Sequence, residues 1–140
     1  MEPLTLPGNL ESLTPVRDYV KAAAALAGLD KKVTYRLMLA VDEVATNVVV
    51  HGYEEAGLAG PMTISAEVDT SALVIILEDV GVEYDDSRRG TPDDLDKPIE
   101  EREIGGLGVF LAVEGVDEYK YKRVDGKNRR TFVIKRTAGG

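Results

Sequence analysis

The chain has no cysteine, no tryptophan and a single histidine among its 140 residues. Without cysteine it can form neither a disulfide framework nor a thiolate metal site, as is typical of proteins in a reducing interior. The lone histidine, His51, has no second His or Cys with which to share a metal. These absences argue against the common zinc sites and against a disulfide-stabilised secreted domain.

Positive charge and long apolar runs are also scarce. Lys and Arg number 17 against 25 Asp and Glu, which gives a formal net charge of −8. Nucleic acids are bound through clustered Lys and Arg, so this balance argues against a nucleic-acid-binding surface. No apolar run approaches the roughly 18 residues of a membrane span, and the first residues do not resemble a signal peptide. We predict a cytoplasmic protein that binds neither nucleic acid nor membrane directly.

Hydrophobic residues make up 44% of the chain, which is enough for one core, and we expect a single domain at 1–140. The sequence predicts an edge strand in EPLTLPG, a helix ending at Gly28 and a second helix from about Lys31 to His51 that Asp30 could cap. It also predicts that MTISAEVD and ALVIILEDVG pair antiparallel with the second strand central, and that the turn DGKN closes a last hairpin. Residues 85–104 are charged and aperiodic, which favours a lid.

The second predicted helix carries polar residues beside an apolar stripe. Glu43 and Asn47 are four residues apart and share a face, whereas Asp42 lies about 100° away and is expected to point to solvent. A carboxylate beside a carboxamide can deprotonate a hydroxyl while the amide oxygen binds a hard cation. Taken alone, the pair is more typical of a solvated helix face. His51, near the helix end, is interpreted as a packing residue or a cation favoured by the helix dipole.

Two further motifs follow later in the chain. The central strand ends in Asp79 and Gly81, where a carboxylate can accept a hydrogen bond from an exocyclic amino group and glycine permits close approach of a ligand. The sequence GGLG opens a helix at Gly105–Gly108, and its free amides can bind phosphate oxygens at the positive end of the helix dipole. Taken singly, a plain turn explains the first motif, and the second is only suggestive, since glycine is abundant.

The order of these motifs resembles the Bergerat ATP-binding fold of the GHKL superfamily: E-x-x-x-N on a helix, D-x-G-x-x-Y at a strand end, a long lid, then G-G-L-G. Within that superfamily, DEVATNVVVHGY, DVGVEYDD and PIEEREIGGLGVFL are most similar to the anti-sigma-factor serine/threonine kinases of the RsbW/SpoIIAB type. The resemblance implies an α+β two-layer sandwich. Its sheet would be mixed but mostly antiparallel, covered on one face by helices, with an ATP lid at 85–104.

The resemblance also implies a role for each motif residue. Glu43 would be the general base that activates the acceptor serine or threonine, and Asn47 would bind the magnesium ion that bridges the ATP phosphates. Asp79 would contact the adenine amino group above a pocket floor shaped by Gly81. Backbone amides and lid cations would face the phosphates; the amides are those of Gly105, Gly106, Leu107, Gly108 and Val109, and the cations are Arg88, Arg89, Lys97 and Arg102.

Partners follow from the same resemblance: a STAS-domain anti-anti-sigma protein as phosphate acceptor, a sigma factor that competes for the kinase, and a homodimer. The chain departs from the family by the acid Glu83 beside the second motif and by the lack of basic residues in AVEGVDEY. Relatives place a small polar residue near the adenine in the last strands, and KNRRTF leaves open whether Thr131 is that residue. The alternatives are an ATP-binding regulatory module that controls a partner without phosphate transfer, and an unrelated α/β domain.

Overall fold

A five-stranded sheet forms one layer of the protein. In the computed structural model, which describes residues 1–82 and 114–136, the strand order is β1-β2-β3-β5-β4. The predicted edge strand, central strand and final hairpin are confirmed. All pairs among the described strands are antiparallel, so the parallel pairing of a mixed sheet does not occur in this part of the chain. The strands are β1 Leu4–Pro7, β2 Pro61–Val68, β3 Ala72–Asp79, β4 Glu118–Val124 and β5 Lys127–Lys135.

The sheet has one apolar face because side chains alternate along each strand. In β3 the buried Leu73, Ile75 and Leu77 alternate with half-buried residues, and β2 and β5 follow the same period of two. The last buried position of β3 is Asp79, which pairs in register with the buried Asn128 of β5. The apolar face therefore ends in a polar corner.

In the part of the chain that the structure describes, two α-helices form the second layer. Helix α1 spans Leu13–Ala27 and ends at Gly28, whose φ of 73° is the left-handed conformation that glycine adopts readily. Helix α2 spans Lys31–Asn47, and its N-cap Asp30 accepts a hydrogen bond of 2.8 Å from the amide of Val33. Both the end of α1 and the cap of α2 confirm the sequence prediction.

The apolar stripes of the two helices pack on the apolar face of the sheet and form one core. Of the stripe that the sequence predicts along the helix from Lys31, Leu37, Val41, Val44 and Val48 are buried, while Val33 is only partly buried. None of the described helices is long and apolar enough to cross a membrane. The core includes Val16, Val20 and Ala23 of α1, Leu37, Val41 and Val44 of α2, and Ile64, Ile75 and Phe132 of the sheet.

The helix that begins at Lys31 changes its winding after Asn47. The sequence predicts α-helix as far as His51, but Val48–Glu54 form a π-helix, whose wider turn is closed by a 2.9 Å hydrogen bond from the Glu55 amide to the Val50 carbonyl. A run of three valines opens this segment, and β-branched side chains crowd the preceding turn of an α-helix. The wider turn buries Val48, Val49, Gly52 and Tyr53 together.

Candidate functional site

Glu43 and Asn47 lie on the last turns of α2, beside the stripe that packs against the sheet. Asn47 is 7% exposed, and its Nδ2 has no hydrogen-bond partner among the described residues. A buried polar group without a hydrogen bond lowers the stability of the folded protein by about 1–3 kcal/mol. The unpaired Nδ2 of Asn47 therefore needs an explanation. Glu43 is half-buried, and in the described part of the chain no cation pairs with its carboxylate. Both side chains therefore have unused bonding capacity.

Two nearby polar residues have partners of their own: Asp42 contacts the neighbouring helix, and His51 contacts a residue one turn further along the chain. Oδ1 of Asp42 lies 2.7 Å from Nε of Arg17 on α1, and only 25% of the Asp42 side chain is exposed. The prediction that Asp42 points to solvent is wrong, because α1 lies alongside this flank of α2 and supplies a cation. Nδ1 of His51 lies 2.9 Å from Oε2 of Glu55, one turn further along the chain.

Asp79 is buried although it carries a carboxylate. Its Oδ1 accepts hydrogen bonds from the amide of Gly81 and from Nδ2 of Asn128, both at 2.9 Å, and its Oδ2 accepts one from Nη1 of Arg130 at 2.8 Å. The side chains of Asp79 and Arg130 are each 1% exposed. A buried carboxylate is tolerated when donors and a counter-charge replace water. These contacts explain how an apolar strand can end in a charge inside the protein.

Gly81 lies where the π-helix meets the segment after β3. A Cβ at position 81 would lie 2.6 Å from the carbonyl oxygen of Gly52 and 3.1 Å from Oδ1 of Asp79. The amide of Val82 donates a 3.2 Å hydrogen bond to that same carbonyl oxygen. Glycine is therefore required by the close approach of two backbone segments. This contact connects the two motifs, since the π-helix follows directly on Asn47.

Tyr53 makes a second connection between the π-helix and β3. Its hydroxyl donates to the carbonyl of Pro61 at 2.6 Å and accepts from the amide of Val80 at 2.9 Å. Burial raises the pKa of Tyr53 above its ordinary value of 10.0; the hydrogen bond from Val80 lowers it and the nearby charge of Asp79 raises it further. The phenol therefore acts as a neutral bridge. An aromatic residue with a polar tip at the end of an apolar helix is the only sequence signal for it.

Two residues of β5, Asn128 and Arg130, belong to the site and are missed by sequence reasoning. Thr131, the residue that the sequence leaves open, pairs with Ile76 and lies on the opposite face of the sheet from Asp79. Alternation along β5 brings positions 128 and 130 to the helix-covered face instead. Only the strand register reveals this, because a shift by one residue would exchange the two faces.

The remaining predicted site residues lie outside the described residues, and their roles stay predictions. They comprise the lid at 85–104, the acid Glu83, the amides of Gly105, Gly106, Leu107, Gly108 and Val109, and the cations Arg88, Arg89, Lys97 and Arg102.

Comparison with known proteins shows the family to which the chain is similar. Residues 6–134 match the histidine kinase-like ATPase domain. The chain is 33% identical over 126 residues to the serine-protein kinase RsbW of Halalkalibacterium halodurans, an alignment that covers 88% of this chain and 76% of that protein. It is 27% identical over 126 residues to the protein of the same name from Bacillus cereus, covering 88% and 78%.

Solved structures share the fold. The crystal structure of the RsbU and RsbW domains of Rv1364c from Mycobacterium tuberculosis superposes with a TM-score of 0.60 at 17% identity, covering 99% of this chain and 34% of that one. The histidine kinase domain of a blue-light activated histidine kinase from Erythrobacter litoralis EL346 superposes with a TM-score of 0.53 at 22% identity. That match covers 87% of this chain and 60% of the other. The chain belongs to the histidine kinase-like ATPase domain family, in the group of the RsbW serine-protein kinases.

Proposed function

We propose that the protein is an ATP-dependent serine/threonine kinase that phosphorylates a STAS-domain anti-anti-sigma protein and sequesters a sigma factor. The observation that carries the proposal is the pair Glu43 and Asn47, with unused bonding capacity, on a helix whose continuation contacts the segment after Asp79. Membership of the RsbW group supports a protein serine/threonine kinase. The acceptor, the sigma factor and a homodimer are inferred from the resemblance of the motifs, and a cytoplasmic location is inferred from the lack of cysteine in the sequence.

Glu43 is the proposed general base. Its carboxylate accepts the proton of the serine or threonine hydroxyl, whose oxygen forms a bond to the γ-phosphorus of ATP. The bond from that phosphorus to the bridging oxygen breaks, and its electron pair leaves with ADP. The products are the phosphorylated side chain and ADP, and Glu43 then releases its proton to water. A half-buried carboxylate that no described cation holds is available for this step.

Asn47 fits the position of a magnesium ligand. Magnesium binds few protein oxygens, and water and substrate phosphates complete its coordination shell. One amide oxygen from the protein is therefore sufficient. A flip of the Asn47 amide exchanges its oxygen with the buried, unpaired Nδ2. When bound, magnesium neutralises the charge of the phosphates during transfer.

The direct test uses purified protein, labelled ATP with magnesium, and a STAS-domain partner. Wild type transfers label to a serine or threonine of the partner, and Glu43→Ala slows transfer by about 10²–10⁴-fold while ATP still binds. Asp42→Ala is the matched control, because Asp42 is the neighbouring carboxylate but is held by Arg17. Unchanged transfer in Glu43→Ala would remove the proposed base. Wild type that binds ATP without any transfer would favour the alternative, a regulatory module that acts by contact alone.

A further inference from the structure

The hairpin of β4 and β5 holds the carboxylate of Asp79 in a fixed orientation. Oδ1 of Asn128 accepts hydrogen bonds from the hydroxyl of Tyr121 at 2.6 Å and from Nη1 of Arg123 at 3.0 Å. Because two donors occupy this oxygen, the amide must direct its Nδ2 toward Asp79. The ring of Tyr121 also lies against the guanidinium of Arg130, with 5.0 Å between Cζ and the ring centroid. Tyr121 therefore orients both β5 residues that bind Asp79.

The carboxylate of Asp79 is left with little remaining acceptor capacity. A carboxylate offers about four acceptor positions, two on each oxygen. The Gly81 amide and Asn128 occupy both positions on Oδ1, and Arg130 occupies one on Oδ2. Within the described residues the second position on Oδ2 is unused, so Asp79 can accept one further N–H donor and offers none itself.

We propose that Arg130 is a positioning residue that sets the base selectivity of the nucleotide site. The inference rests on the proposed function, since it takes Asp79 as the residue that meets the base. With Oδ2 fixed by Arg130, its remaining position accepts an N–H of the 6-amino group of adenine. The same oxygen repels the carbonyl oxygen that a 6-oxo purine presents at that place.

A merely structural role for Arg130 would be to offset the buried charge of Asp79. Both this role and the proposed positioning role predict that an Arg130 variant is less stable. The ratio of the Kd of inosine triphosphate to the Kd of ATP distinguishes the two roles. A smaller fraction of folded protein weakens the apparent binding of every nucleotide by the same factor, so the ratio stays constant. The ratio changes only if recognition of the base changes.

The experiment measures the Kd of ATP and of inosine triphosphate, each with magnesium, by calorimetry. Wild type is expected to prefer ATP by at least about tenfold, since one charge-assisted hydrogen bond is replaced by a repulsive contact. Arg130→Lys keeps the charge but loses the planar guanidinium, and the preference falls to within about threefold of unity. Tyr121→Phe, a milder change, keeps the ring against Arg130 but removes one of the two donors that hold Oδ1 of Asn128, while Arg123 still donates to it. This substitution lowers the ratio by about threefold.

Arg129→Lys is the matched control. Arg129 is the adjacent residue of β5, but its Nε lies 3.1 Å from Oε2 of Glu78 on the opposite face of the sheet. Its substitution leaves the ratio unchanged. The inference is overturned if Arg130→Lys keeps the wild-type ratio, if Arg129→Lys lowers it equally, or if wild type binds both nucleotides alike. Wild type that binds neither nucleotide at millimolar concentration overturns the proposed function and this inference with it.

Discussion

Glu43 and Asp42 are neighbouring carboxylates with opposite surroundings. The 3.6-residue repeat predicts from sequence that they point in different directions and that Glu43 lies with Asn47. It does not predict that Arg17 reaches Asp42 across the helix pair at 2.7 Å. The direction of a side chain follows from its own helix, whereas its partner depends on how two helices pack.

Tyr53→Phe tests the bridge between the π-helix and β3. The substitution keeps the ring but leaves the Val80 amide and the Pro61 carbonyl without the hydroxyl that satisfies both. We expect the free energy of unfolding to fall by about 1–3 kcal/mol, measured by urea denaturation. Tyr35→Phe is the control: Tyr35 is 60% exposed on α2, and its hydroxyl should contribute less than about 0.5 kcal/mol.

Because the pKa of Tyr53 is raised, wild type and Tyr53→Phe should also differ in how their stability changes at alkaline pH. Because the pKa is above 10.0 only in the folded state, the unfolded chain loses the phenol proton first as the pH rises. The stability is therefore fully present below about pH 10 and is lost as the pH rises toward the folded pKa. Wild type should lose more stability than Tyr53→Phe between about pH 8 and about pH 10.5. Equal losses would show that the phenol is not buried.

At the scale of elements, the sequence predicts the strands and helices well but not the winding of the second helix. The cap at Asp30 and the end at Gly28 are local features, since each depends on a single side chain or on a positive φ. The π-helix of Val48–Glu54 depends instead on tertiary packing, because its wider turn presents Gly52 and Tyr53 to the end of β3. Hydrophobic periodicity does not separate this segment from a continuing α-helix.

The π-helix and the segment after β3 meet at two glycines, Gly52 and Gly81. We expect an alanine substitution to destabilise the protein strongly at one of them and little at the other. A methyl group at Gly81 would clash with the Gly52 carbonyl at 2.6 Å, so Gly81→Ala should lower the free energy of unfolding by about 1–3 kcal/mol. Among the described residues, a methyl group at Gly52 would meet Val48 Cγ1 at 3.9 Å and Asp79 Oδ1 at 4.0 Å, so Gly52→Ala should change stability by less than about 1 kcal/mol. Urea denaturation measures both, and a reversed order would contradict the proposed packing.

At the scale of the whole molecule, the antiparallel register assembles the site from distant parts of the chain. The order of the motifs is visible in the sequence and indicates the family, which the comparisons confirm. The pairing of Asp79 with Asn128, and the resulting contact with Arg130, depends on the register of β3 against β5 and could not be predicted. The extent of the domain over 1–140, the lid and the GGLG motif stay predictions.

ATP binding by calorimetry, with magnesium and with a chelator, is the decisive measurement for wild type and Asn47→Ala. Wild type is expected to bind ATP with magnesium, and Asn47→Ala is expected to bind it about tenfold or more weakly, because the metal would lose its protein ligand. Removing magnesium should weaken wild type strongly and Asn47→Ala little. No binding by wild type at millimolar ATP, or equal binding and equal magnesium dependence in both proteins, would contradict these expectations.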